Sequence, residues 1–117
     1  MIEEHGCKDI LREKCGLPLA SYFSALKIKW LMDNEPEVRK RLLDGSAFVG
    51  TVDSWLLWNL TGQHVTDLSN ASRTMLFNIN TQQWDESLCD FFGIPINSLP
   101  AVKSSAEVVY PFILEIN

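Results

Sequence analysis

Three cysteines, Cys7, Cys15 and Cys89, are too few and too scattered to organise the chain. Their number is odd, none form a Cys-x-x-Cys pair and no His-rich cluster stands beside them, which argues against a disulfide framework and a zinc site. Several generic catalytic patterns are missing too. There is no Gly-x-Ser-x-Gly elbow, no Gly-rich loop ending in Lys-Ser or Lys-Thr, and no His-Glu-x-x-His pair. Basic residues are in deficit: 10 Lys and Arg against 15 Asp and Glu give a formal charge of -5. That balance favours solubility and excludes the basic face that nonspecific nucleic-acid binding needs. The one basic cluster, Arg39-Lys40-Arg41, follows Glu35 and Glu37 in a helical pattern, so it is expected as a solvated face. No apolar run reaches the ~20 residues of a membrane span. Met1-Ile2-Glu3-Glu4-His5 lacks the apolar core of a signal peptide. A soluble, reducing, cytoplasmic setting is the expectation, and the sequons at Asn59 and Asn70 are then chance matches.

What remains is an ordinary globular composition, 46% hydrophobic and 21% charged in 117 residues, enough for one domain or part of one. Residues 8–14 suggest a short helix stopping at Gly16. Phe23, Leu26, Trp30 and Leu31 fall at i, i+3, i+7 and i+8 and predict the buried face of an amphipathic helix capped by Ser21 or Ser24. Pro36 suits the first turn of the next helix, with Val38, Leu42 and Leu43 inward and Gly45 at its end. Residues 47–52 form an apolar run of strand character, after which Asp53 is placed to cap a helix ending at Thr61-Gly62. Residues 64–66 and 74–77 are candidate strands around a polar turn at 67–72. Asp85 caps a helix, Glu86 to Phe92, which Gly93 stops; Pro95 and Pro100 bracket a turn; Val108 to Tyr110 is a final candidate strand. The mixture predicts an α/β (mixed α+β) piece. His64, alone in a strand-like stretch, is expected to be structural.

Four blocks in order resemble one family. Tyr22 to Asn34, with Lys27, Trp30 and its acidic-amide end, is similar to the first signature of the carbohydrate kinases that include glycerol, xylulose and gluconate kinases. Gly50-Thr51-Val52-Asp53-Ser54-Trp55 resembles the glycerol kinase form of the next block. Thr66-Asp67 with Asn70 to Ile79 is more specific still, and Gly93-Ile94-Pro95, Leu99-Pro100 and Ser104 to Glu107 continue in register. The resemblance spans residues 13–109. It implies an actin-like, RNase-H-like fold and, in a complete enzyme, transfer of the γ-phosphoryl of ATP, with Mg2+, to glycerol, aided by a carboxylate base. Tyr22 takes the place of the family's glycerol-contacting tyrosine. Lys27 and Trp30 are expected to be structural, Trp30 in the apolar stripe; Arg73 and Asp67 are expected to fix a loop, and Asp53 to cap a helix.

Most of the family's machinery has no counterpart here. The Asp-Gln-Gly-Thr-Thr phosphate loop, the Arg-Glu pair and tryptophan that hold glycerol, and the aspartate of a Gly-Asp-Gln pattern are absent, as is the second domain. Met1 to Gly6 and Tyr110 to Asn117 depart from the family pattern, as in a truncated product or an incomplete gene model. The expectation is an incomplete N-terminal kinase domain over 1–117 that is inactive alone and binds neither nucleotide nor glycerol measurably. A homo-oligomer of kinase subunits is the expected protein partnership; a non-catalytic short isoform that docks on full-length kinase, and a fragment of a kinase for another polyol or sugar, are the alternative functions.

Overall fold

The computed structural model describes residues 11–109. The start of the first predicted helix, Cys7, Tyr110 and both divergent ends lie outside them.

Local signals hold best where a cap and a stop coincide. Helix α1 (Arg12–Cys15) ends at Gly16, whose φ of 71° is the left-handed conformation that favours glycine. Helix α2 (Ser24–Asn34) follows, but neither serine caps it. Phe23 occupies the N-cap position without a side-chain bond. Instead the Ala25 N–H donates to the Thr74 carbonyl at 2.9 Å, so a distant segment satisfies one orphan donor of the first turn. The inward side of α2 is also corrected: Ala25, Ile28 and Met32 are buried. Phe23 is buried as expected, yet Trp30 and Leu31 are exposed. This helix carries apolar residues on two sides, and packing against the next helix and α6 decides between them.

Helix α3 (Pro36–Leu43) starts on Pro36 as predicted. Leu42 is buried and Val38 half-buried, but Leu43 lies on the outer side at 61% exposure. Residues 47–51 do not form a strand. Val49 donates one backbone bond to Ser98 at 2.8 Å, and the chain then turns into helix α4 (Val52–Thr61). Thr51, not Asp53, holds the N-cap position, which moves Asp53 into the first turn. Gly62 ends this helix with φ 68°.

Strand β1 (Val65–Asp67) pairs in parallel with β4 (Ala101–Lys103), aligning Val65 with Ala101 and Asp67 with Lys103. A parallel pair requires a long crossover, and residues 68–100 supply it. The predicted polar turn is a helical one, α5 (Leu68–Ala71), capped by the Asp67 carboxylate, which accepts from the Asn70 N–H. The predicted strand over 74–77 is reduced to β2 (Phe77–Asn78), because Met75 takes a left-handed φ of 68°. β2 pairs antiparallel with β3 (Gln83–Trp84). Helix α6 (Glu86–Phe92) begins and ends as expected, at Asp85 and Gly93. A 3-10 turn at Ile96–Ser98 fills the span between the two prolines, and residues 108–109 are not in a strand. Leu19, Met75, Leu76, Leu88, Cys89 and Phe92 are the heart of the core. The architecture is the mixed α/β piece that the element order predicted.

Candidate functional site

Tyr22 precedes α2 and is 74% exposed. Its ring meets the buried Phe23 ring edge-on, with centroids 5.3 Å apart. The Lys27 ammonium lies 5.8 Å from the Tyr22 centroid, and the Arg73 guanidinium lies 5.1 Å from the Phe23 centroid. Two rings are thus flanked by two cations, an attractive arrangement because the ring faces are electron-rich. A phenol held at a protein surface can donate one hydrogen bond to a hydroxyl and accept another. The structure therefore brings Tyr22, Lys27 and Arg73 to one place, and leaves Trp30 exposed rather than packed in a core.

Thr66, Asp67, Ser104 and Ser105 gather elsewhere. With Asp53 and Asn70 they line a cavity of about 350 Å³ where β1 and β4 end. In open α/β sheets the crevice beyond the carboxyl ends of strands is the usual ligand position. Here the polar groups largely serve one another. Asp53 accepts from the Thr51 hydroxyl on one oxygen and from the Thr66 hydroxyl, at 2.6 Å, on the other. Both oxygens are engaged, so a general-base role is poorly supported. Asp67 accepts from the Asn70 backbone and side-chain nitrogens at 2.7 and 2.9 Å. The Ser105 hydroxyl, then the Asn70 N–H, hold its carboxyl below the usual range. Lys103 pairs with Glu107 at 2.9 Å.

His64 is tied to its surroundings: its Nε2 lies 3.0 Å from the Val49 carbonyl, and its ring contacts Phe48 and Trp58. Cys15 and Cys89 are buried free thiols. Burial, reinforced by the negative charges of Asp85, Asp90 and Glu86, pushes the Cys89 thiol up to about 12, so it is inert as a nucleophile. Among the described residues no three His, Cys, Asp or Glu side chains converge on a possible metal position. The donor set of residues 11–109 does not fit a magnesium–nucleotide site. Among the same residues no helix is long and apolar enough to cross a membrane. The sequence alone gave no sign of the left-handed Met75 or of the Asp53–Thr66 bond, since both arise from contacts distant along the chain.

Residues 1–113 match the model of the FGGY family of carbohydrate kinases, N-terminal domain. A protein of Dictyostelium discoideum named "Probable glycerol kinase" is 58% identical over 103 residues, covering 86% of this chain and 19% of its own. The glycerol kinase of Chromobacterium violaceum is 55% identical over 109 residues, 92% of this chain and 22% of its own. Among solved structures, Plasmodium falciparum glycerol kinase with ADP superposes with a TM-score of 0.79 at 44% identity, over 82% of this chain and 19% of that one. The chain thus spans about a fifth of the length of the relatives it matches.

Proposed function

The chain belongs to the FGGY family of carbohydrate kinases, and we propose that it is a segment of the N-terminal domain of a glycerol kinase. The complete enzyme would use ATP and Mg2+ to convert glycerol to glycerol 3-phosphate, in the cytoplasm. One observation carries the choice of substrate. Identity is 51–58% to curated proteins named as glycerol kinases, and among solved structures it is 44% to a glycerol kinase against 26% to a gluconate kinase.

Within that enzyme, Tyr22 is the residue of this segment that meets glycerol. Its exposure beside the Lys27 ammonium, and against the Phe23 ring that Arg73 overlies, supports the role. One phenol hydrogen bond contributes about 0.5–1.5 kcal/mol, whereas even millimolar binding requires about 4 kcal/mol. The chain alone is therefore expected to bind no glycerol and to turn over no ATP. A base and a nucleotide cradle must come from sequence outside it, and loss of the base alone typically lowers the rate about 10²–10⁴-fold.

A coupled ADP-release assay tests the proposal in two arms. The purified chain should be silent with glycerol, xylulose or gluconate. A chimera in which residues 11–109 replace the matching segment of an active glycerol kinase should phosphorylate glycerol, with a raised KM when Tyr22 is changed to Phe. A chimera that prefers another polyol, or a glycerol-dependent turnover by the chain alone, would count against it. A second reading, a non-catalytic module that docks on kinase subunits, is favoured by the exposed Trp55 and Leu56 on α4. Co-elution with an intact kinase on size exclusion is its test.

A further inference from the structure

Tyr22 is exposed, so its two side-chain torsions are left to be fixed when it binds a ligand. Residues 73–75, distant from it in sequence, converge on Phe23 and the start of α2. Arg73 places its guanidinium over Phe23, the ring against which Tyr22 leans. Thr74, the next residue, gives its carbonyl to the Ala25 N–H in the first turn of α2. Met75, fully buried, is held at a φ of 68°, a conformation that L-residues with side chains adopt rarely. Strain of this kind persists where surrounding packing over-determines it, and it clusters at functional sites. From within α2, Lys27 reaches back to the Tyr22 ring itself.

We propose that Arg73 and Lys27 are positioning residues for Tyr22, with the strained Arg73–Thr74–Met75 turn setting Arg73 against the Phe23 ring and clamping the start of α2. The cations act through the aromatic pair. They narrow the orientations of the Tyr22 phenol and so lower the ordering cost of its hydrogen bond to a polyol hydroxyl. Neither cation needs to touch the substrate. This rests on the reading of Tyr22 as a glycerol contact, but the geometric half stands independently.

Nuclear magnetic resonance of the full chain tests that half directly. The Lys27 ε-methylene signals should be shifted upfield by the Tyr22 ring current and should return to ordinary positions in Tyr22→Leu. Arg73→Met should broaden or move the Tyr22 ring signals, and Arg73→Lys should partly restore them. Lys27 signals at ordinary positions in the unaltered chain, or Tyr22 signals indifferent to Arg73→Met, overturn the proposal. The kinetic half uses the chimera described above. Arg73→Met and Lys27→Met should each raise the glycerol KM about two- to fivefold, the range an exposed cation–π contact can supply. The change in kcat should stay within about twofold, because a binding orientation and not a transition-state contact is lost. Arg73→Lys and Lys27→Arg should recover most of it. In a Tyr22→Phe background the same substitutions should have little further effect. If they raise KM equally there, they do not act through the phenol and the inference fails. If Tyr22→Phe itself leaves KM unchanged, the glycerol role of Tyr22 fails, while the resonance shifts still decide the contact.

Discussion

Helices α6 and α4 are both short and both apolar, yet they are finished to different degrees. On α6, Leu88, Cys89 and Phe92 are all buried, and its first turn is closed by Asp85. Around that carboxylate, Asn78, Ser87, Lys14 and the Leu88 N–H all donate. On α4 only Ser54 and Thr61 are buried, while Val52, Trp55, Leu56, Trp58 and Leu60 face outward. Ser54 even buries its hydroxyl without a hydrogen-bond partner among the described residues. A helix apolar all round normally belongs in an interior, and exposed apolar patches mark surfaces made for contact. The cohesion of this chain thus resides on the α6 side. The α4 side presents its apolar side chains to solvent among the described residues.

The strongest way to break this contrast is to empty the α6 side. Phe92 is 2% exposed at the centre of the core. Phe92→Ala should lower stability by about 3–5 kcal/mol through lost burial and the cavity left behind. Against a typical total of about 5–15 kcal/mol, that brings the chain close to unfolding at room temperature. Urea titration followed by far-ultraviolet circular dichroism measures it. A loss below about 1 kcal/mol would mean that Phe92 is not a keystone.

A smaller effect sharpens the same contrast at the start of α6. Removing the cap in Asp85→Ala should lower stability by about 1–2 kcal/mol. The pH dependence gives an independent check. Burial alone would raise the Asp85 carboxyl, but the Ser87, Asn78, Leu88 and Lys14 donors outweigh it and hold it well below its ordinary 3.8. A group whose folded-state pKa is depressed stabilises the fold above its unfolded pKa. That contribution is lost as pH falls toward the folded value. Stability should therefore decline below about pH 4, and Asp85→Asn should flatten that decline while keeping a competent cap. An unchanged acid slope in Asp85→Asn would remove Asp85 from the account.

The two helices also differ in how legible they were. α6 could be placed from Asp85 and Gly93 alone, because capping is local chemistry. Pro36, Gly16 and Gly62 worked for the same reason. The buried side of α2 could not be chosen, since Ala25, Ile28 and Met32 have the same helical spacing as Phe23, Leu26 and Trp30. Only the position of neighbouring helices decides between two such stripes. Residues 47–51 carry strand-forming side chains, but the described segment gives them one bond to Ser98 instead of a ladder. β3 and β4 were missed because Gln83 and Lys103 lie in pieces two and three residues long, with no periodicity to see. At the candidate site, Tyr22 was legible only through family resemblance. The cations on it and on Phe23 were visible as residues but not as neighbours, since Arg73 meets a ring 50 positions earlier in the sequence.

The smallest stability effect belongs to α4, and it is the sharpest discriminator. Trp55 is 66% exposed, so Trp55→Gln removes little buried surface. Stability should change by no more than about 0.5 kcal/mol, as for surface substitutions generally. What should change is association. If the outward side of α4 is sticky because it is apolar, the unaltered chain should elute larger than its 13.3 kDa mass on size exclusion. Trp55→Gln combined with Leu56→Gln should then shift it toward the monomer position with its unfolding midpoint nearly unchanged. The opposite pattern, a large loss of stability with no change in apparent size, would place Trp55 inside the cohesive part of the molecule. The distinction between a closed side and an open one would then collapse, because both helices would be holding the same core.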